Sequence, residues 1–259
     1  MSTFLFDKII FGPVKSRRLG VSLGVNLLPV DSKLCSFDCI YCECGWTPRK
    51  REGKAELPSR ELVAQKLEEQ LLQMKNSGEL PDVITFAGNG EPTLHPGFPG
   101  IVDDTVTLRN KLAPDCRIAV LSNSTTIHRE SVFQALLKVD DNILKLDSAI
   151  PETVELLDCP LGNFNLDDII GQLVRFGKRA VIQTLFIRGI HKGKVIDNTT
   201  EKELAAWMEA LKIIQPRQVM VYTTERDTPA RGLIKISLDE LNRIAARVRE
   251  AGFDVQVSG

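Results

Sequence analysis

The sequence predicts an α/β fold: a partial (β/α)6, TIM-like barrel on a parallel sheet. Three observations predict it. Apolar, β-branched runs alternate with amphipathic stretches along the 259 residues. The runs are nearly continuous instead of alternating in polarity, as strands covered on both faces are. Six βα units fall short of the eight that close a barrel, so the sheet is expected to stay open along one side.

The elements follow in order. The first strand is expected at residues 21–30, before a cysteine-bearing loop. Ser59 can cap a helix running to about Ser77, with Leu62, Val63, Leu67, Leu71 and Met74 on one side and Gly78 as its stop. Strands are expected at 83–87 and 117–122, a helix at 129–137, and a fourth strand at 143–148. A helix at 165–177 leads to a fifth strand at 180–187. Thr200 with Glu203, and Ser237 with Glu240, are capping-box patterns. The first opens a helix carrying Leu204, Trp207 and Leu211; the second opens one that ends near Gly252. Between them lies a sixth strand at 218–223, and a short last one follows at 254–257. Strands alternating with helices imply a parallel sheet with right-handed crossovers. No finer repeat, low-complexity tract or linker interrupts the pattern, so one domain spanning 1–259 is expected.

Composition narrows the function classes. Net charge is −1, with 43% hydrophobic and 26% charged residues, so no broad field draws nucleic acid or a membrane surface. The first sixty residues carry ten Lys/Arg against six Asp/Glu, a modest excess suited to a solvated surface with some phosphate or carboxylate recognition. Residues 1–8 include Asp7 and Lys8 and do not read as a signal peptide, and no run is long enough to cross a bilayer. Six cysteines, three of them clustered, do not read as a secreted disulfide framework. A reducing cytoplasm is expected.

In open parallel sheets ligands bind at the carboxyl ends of the strands. That rule gathers the polar clusters at one edge. The cysteine loop follows the first strand, and Gly88, Asn89, Gly90, Glu91 and Pro92 follow the second. Ser122, Asn123 and Ser124 follow the third, while Lys145, Asp147 and Ser148 end the fourth. Arg188 follows the fifth strand, and Tyr222 to Arg226 follow the sixth.

The sharpest motif is Cys35-x-x-x-Cys39-x-Tyr41-Cys42. Three thiolates so close in sequence make an incomplete cage for a four-iron cubane, which takes four protein thiolates when it only carries electrons. Three ligands leave one iron open. Zinc is the competing reading. It takes four tetrahedral ligands, usually as two separated pairs, and Cys39 and Cys42 have no second pair at that distance. Cys44 would complete only a cramped chelate; otherwise it is a small loop residue. Cys116 reads as core. Cys159 reads as a packed thiol, with hydrogen-atom donation to a radical as its sharper alternative.

Other residues carry two readings each. Glu91 sits in a glycine turn and can accept a hydrogen bond from an ammonium group. Ser122 and Asn123 read equally as a turn or helix cap and as ligand contacts. Lys145 and Asp147 share one side of a strand, where charge is costly unless paired or used. They form either a mutual ion pair or a cofactor or substrate contact. Arg17 and Arg18, in Ser16-Arg17-Arg18-Leu19-Gly20, are solvated or bind an anion. His95 reads as loop packing. Arg188, His191, Lys192 and Lys194 read as a solvated basic loop, or as a mobile lid over an anionic substrate.

Cys35, Cys39, Tyr41 and Cys42 resemble the cluster motif of the radical S-adenosylmethionine (SAM) superfamily, and the later segments follow that family's order over nearly the whole chain. The resemblance implies a radical SAM core with two cofactors, a [4Fe–4S] cluster and SAM. Cys35, Cys39 and Cys42 would hold three irons, and the amino and carboxylate groups of SAM would chelate the fourth. Tyr41 would lie near the adenine. The segment Gly88, Asn89, Gly90, Glu91 would bind the methionine amino group, with Asn89-Gly90-Glu91 where the family has Gly-Gly-Glu. Ser122 and Asn123 would contact the ribose or carboxylate, and Lys145 and Asp147 would contact SAM or substrate. Gly12-Pro13, the Ser16–Gly20 segment and the stretch from Asn89 to Pro96 resemble one branch, short Fe–S oxidoreductases similar to wyosine-forming tRNA enzymes. The implied chemistry is reductive cleavage of SAM to a 5′-deoxyadenosyl radical that abstracts hydrogen, fed by an electron donor such as flavodoxin or ferredoxin. An RNA base, a protein or peptide (as for glycyl-radical activases) and a small metabolite are the substrate classes, though the charge does not indicate RNA. A non-catalytic Fe–S electron-transfer module, its cluster completed by Cys44, is the alternative from another class.

Overall fold

The protein is described by a computed structural model covering residues 4–16, 18–49 and 56–259. In chain order the strands and α-helices are β1 (Ile10–Ser16), β2 (Gly20–Val25), α1 (Arg60–Ser77), β3 (Val83–Phe86), α2 (Phe98–Leu112), β4 (Arg117–Ser122), α3 (Glu130–Leu136), β5 (Asp141–Lys145), α4 (Pro151–Leu157) and α5 (Leu166–Phe176). They continue as β6 (Ala180–Leu185), β7 (Ile187–His191), β8 (Lys194–Asp197), α6 (Glu201–Ile214), β9 (Gln218–Tyr222), β10 (Leu233–Lys235), α7 (Leu238–Glu250) and β11 (Asp254–Ser258). One sheet has eight strands in the order β1-β2-β3-β4-β5-β6-β9-β11. Every neighbouring pair in it is parallel except β1–β2, an antiparallel hairpin. This is the expected partial barrel, with an added edge strand.

The curl of the sheet follows from one side chain. Leu19, in the β1–β2 turn, packs with Val83, Ala119, Ile143, Val181 and Met220, one residue from each of β3, β4, β5, β6 and β9. Side chains from five strands can share one small interior cluster with this leucine only if the sheet curls around it. The helices cover the outer face, where the main core holds Phe86, Phe98, Ile101, Leu211 and Trp207. The caps form as expected. The Oγ of Ser59 accepts from the Leu62 N–H, that of Thr200 from Glu203, and that of Ser237 from Glu240. Gly78 ends α1 at φ 76°, in the left-handed region that favours glycine. Leu62 is exposed: the buried stripe of α1 is Val63, Leu67, Leu71 and Met74, and position 62 lies one residue off it.

Several elements depart from the sequence reading. β1 contains Gly12-Pro13, which lacks one ladder donor, and it accordingly lies at the sheet edge. α2 and α4 are additional helices. The first strand stops at Val25 because the Asn26 side chain takes over the backbone, its Oδ1 accepting from the N–H groups of Leu28 and Asn89. The fourth begins at Asp141 and stops at Lys145; beyond it the Asp147 carboxylate accepts the Leu185 N–H at 2.9 Å, in place of a backbone rung. Lys145 therefore ends the strand and Asp147 lies past it. The stretch from Arg188 to Lys194 is not an irregular loop. It is the β7–β8 hairpin, in a second sheet ordered β10-β7-β8. Arg188 there pairs with Asp197 and Glu240. Arg17 lies outside the described residues. No helix among the described residues is long and apolar enough to cross a membrane.

Candidate active site

The cysteine loop leaves the carboxyl end of β2 and is clamped on two sides. On one, Leu34 donates to the Asn89 carbonyl at 2.9 Å and its own carbonyl accepts from Glu91 at 3.1 Å. A Cβ at Gly90 would stand 1.9 Å from the Leu34 carbonyl oxygen, so only glycine lets the loop lie this close to the segment after β3. On the other side, Asp38 donates to the Asp158 carbonyl and Ile40 to that of Leu157, both at 3.0 Å, joining the loop to the end of α4. The loop is thereby held between two parts of the sheet edge that are far apart in sequence.

Cys35, Cys39 and Cys42 line one cavity of about 330 Å³, together with Tyr41, Gly90, Glu91, Ser122, Asn123 and Lys145. Its remaining wall comes from Arg18, Gln183, Leu185 and the segment Tyr222 to Arg226. A larger cavity, about 730 Å³, borders Trp46, Cys159 and Lys192 and contains none of the three cysteines. Among the described residues no three His, Cys, Asp or Glu side chains converge as ligands of a single metal ion. A cubane attaches each thiolate to a different iron, so its ligands need not converge on one point. The all-sulfur donor set on the cavity wall fits such a cluster.

Lys33 reinforces the fit. It is 2% exposed, donates to the Gly45 carbonyl at 3.0 Å and lies 3.5 Å from the Asp38 carboxylate. Burial opposes its charge, but Cys42, Cys35, Cys39 and Asp38 together raise its pKa above the ordinary lysine value. A buried cation beside three sulfurs offsets the negative charge that thiolates bring. Asn123 Nδ2 adds a 3.5 Å contact to the Cys35 sulfur. Burial pushes the Cys35 thiol up to about 12. A hydrogen bond from Cys44 is the largest influence on Cys42, which is lowered to about 6. The Cys44 thiol also donates to the Gly88 carbonyl at 3.4 Å.

Glu91 anchors the adjacent wall. It is 2% exposed and capped from three residues. One carboxylate oxygen accepts from the Thr93 N–H and hydroxyl and from Ser122 Oγ at 2.9 Å. The other accepts from the Asn123 N–H at 2.6 Å. Burial raises its pKa, against the pull of these hydrogen bonds. A cationic partner in the cavity would favour the charged form.

Lys145 meets Asp147 and, at 3.1 Å, Asp158; its ammonium also lies 4.7 Å from the centre of the Tyr41 ring. Burial lowers its pKa, but the two carboxylates outweigh it and hold the pKa well above the ordinary lysine value. The Tyr41 hydroxyl donates to Asp147 and, at 3.4 Å, to Asp158. The mutual ion pair of Lys145 and Asp147 is therefore present, and Lys145 also faces the cavity.

Three of the expected cofactor residues lie behind the cavity wall. Asn89 is fully buried, its Nδ2 donating to the carbonyls of Phe6 and Pro29 and its Oδ1 accepting from Phe6 N–H. It staples the amino-terminal segment to the sheet, which explains a side chain where the family has glycine. Gly88 packs against Asn26, and Asp147 orients Tyr41 and Lys145 from below. Sequence reasoning missed Lys33, Asp158 and Gln183. Lys33 stands two residues before Cys35, which was a usable signal; Asp158 and Gln183 reach the site only through tertiary packing. His95 is a buried tie, its Nε2 bonded to the Pro58 carbonyl at 2.9 Å and its Nδ1 accepting from Gly97 N–H at 3.0 Å.

The family model described as the Radical SAM superfamily matches residues 30–151. A UPF0026 protein of Methanocaldococcus jannaschii is 31% identical over 250 residues, covering 93% of this chain and 71% of its own length. A protein of Brachyspira hyodysenteriae named GTPase Obg is 29% identical over 253 residues; the match covers 98% of this chain but 35% of that longer protein. Among solved structures, a radical SAM methyltransferase from Sphaerobacter thermophilus superposes with a TM-score of 0.66 at 14% identity, covering 92% of this chain and 65% of that one. TYW1 with a lysine-pyruvate adduct bound gives 0.59 at 15% identity, covering 88% and 73%. These two likenesses are likenesses of fold. With the matched segment carrying the three-cysteine loop and Glu91, the chain belongs to the radical SAM superfamily, whose cofactors are a [4Fe–4S] cluster and SAM, and within it to the UPF0026 proteins.

Proposed function

We propose that this protein reductively cleaves SAM and directs the resulting radical to take a hydrogen atom from a bound substrate. The observation that carries this reading is convergence: three thiols from one loop and the Glu91–Ser122–Asn123 wall from two strand ends face one cavity. Cys35, Cys39 and Cys42 would hold the cluster. Bound there, the cluster would supply the single electron that reductive cleavage of SAM requires.

The chain's own residues bind, orient and shield. Glu91 receives the ammonium of SAM through the carboxylate oxygen that has only Asn123 N–H as partner. Asn123 and Ser122 hold that carboxylate in place. Tyr41, fixed by Asp147, presents its ring beside the cysteines. Leu121 and Leu185 add apolar surface to the same cavity wall. Lys145, held between two carboxylates, braces the wall beside Tyr41. A low-potential donor such as flavodoxin or ferredoxin supplies the electron.

The test is anaerobic. Protein reconstituted to about four irons per chain and given SAM and dithionite should release 5′-deoxyadenosine and methionine in equal amounts. No release from fully loaded protein would overturn the proposal.

A further inference from the structure

We infer that Arg18 is the oxyanion anchor of the substrate site, so that the substrate carries a carboxylate or a phosphate. The inference rests on the reading that this cavity is where SAM is cleaved, and it deepens that reading by naming a substrate class.

The charges around the cavity are almost all matched. Lys145 pairs with Asp147 and Asp158, Arg226 pairs with Glu43 at 2.7 Å, and Glu91 is capped by hydrogen bonds. Arg18 differs. Its guanidinium lies over the Tyr222 ring, 4.6 Å from the centre, and forms no ion pair among the described residues. Its Nη1 is buried without any hydrogen-bond partner. A buried donor left unsatisfied is costly, more so when it is charged. Stacking on an aromatic face is partial compensation for a cation and also fixes the plane of the guanidinium. What the group lacks is an acceptor, and its fork matches carboxylate or phosphate oxygens.

The position of Arg18 is set by long-range contacts. Its carbonyl accepts from Gln256 Nε2 at 3.0 Å, in the last strand, and the next residue is the Leu19 plug. The turn cannot swing away without emptying the barrel interior. Arg18 thus stands on the wall made by β9 and β11, whereas Glu91 follows β3. The amino and carboxylate groups of SAM share one carbon. With the ammonium at Glu91, that carboxylate stays near the end of β3, which β4, β5 and β6 separate from the Tyr222 wall of β9. The acceptor for Arg18 is therefore a second anion, the substrate's own.

Phenylglyoxal labelling reads Arg18 directly. In cluster-loaded protein saturated with SAM, inorganic phosphate or succinate is titrated in, and modification is followed by peptide mass spectrometry. One of the two anions should slow Arg18 labelling at least fivefold while exposed Arg231 reacts at its usual rate. Arg18→Gln should then bind that anion at least tenfold more weakly. Arg18→Lys should be intermediate, and both should bind SAM within twofold of the parent. If SAM alone protects Arg18 and neither anion adds to it, the residue serves the SAM carboxylate and the proposal falls. Unchanged anion binding in both variants overturns it equally. Release of 5′-deoxyadenosine is scored separately, so failure of the radical reading is distinguishable from failure of the anchor.

Discussion

The two ends of the half-barrel are both rich in charge, and they use it in opposite ways. At the amino ends of the strands, Arg117 and Arg217 converge on Asp141 at 2.7 and 2.6 Å, and Arg109 meets Asp140 at 2.9 Å. These charges answer one another. At the carboxyl ends, three thiols and a buried Glu91 face one cavity, and on its wall the stacked Arg18 keeps a buried Nη1 without a partner. A network that is closed upon itself contributes stability. One that stops at a cavity wall gives up some stability to hold a ligand, and parallel barrels keep these tasks at separate ends.

The widest separation between the two ends comes from the cysteines. Replacing any one of Cys35, Cys39 or Cys42 by alanine should abolish cluster absorbance and 5′-deoxyadenosine release, while the circular dichroism of the fold persists. Retention of a full cluster in any of the three would break the site assignment. Glu91→Gln is next. It keeps the shape but removes the charge facing the ammonium, and SAM affinity measured by calorimetry should fall about ten- to a hundredfold, the range for a charged hydrogen bond. At the other end, Asp141→Asn should lower unfolding stability by about 1–2 kcal/mol, because its two arginine partners are half-exposed and screened. It should leave SAM affinity unchanged; a shift there would show that the ends are coupled.

The smallest expected effect is a pH dependence. His95 ties the segment before α1 to the start of α2, and burial lowers its pKa below the ordinary 6.5. Between that lowered value and 6.5 the unfolded chain carries a proton that the folded one does not, so stability is full above about pH 6.5 and is lost as pH falls. Urea midpoints at pH 7.5 and 5.5 should show this decline, and His95→Gln should flatten it.

The sequence revealed the parallel βα order, the caps and the carboxyl-edge rule because these are local. The cap at Ser59 needs only a partner three residues on, and the cysteine spacing needs no fold at all. What escaped it was long-range or masked by composition. β1 was hidden by Gly12-Pro13, and α2 by the Gly97, Pro99 and Gly100 at its start. The β7–β8 hairpin looked like a basic loop because Gly189, Gly193 and several charges interrupt its pattern. Asp147 was placed within its strand because nothing local says that its side chain will replace a backbone rung from Leu185. Asn89 looked like a ligand position by resemblance, and only the packing of Phe6 and Pro29 discloses its structural task.

The hydrogen bond from Gln256 to Arg18 spans 238 positions of sequence. It makes one face of the cysteine-lined cavity a joint product of residues near the two ends of the sequence, outside the 30–151 interval shared with the superfamily. The three-cysteine loop and the Arg18 wall are therefore encoded in separable stretches. Related chains can hold the first fixed and still diverge in the second by altering a hairpin tip and a final strand.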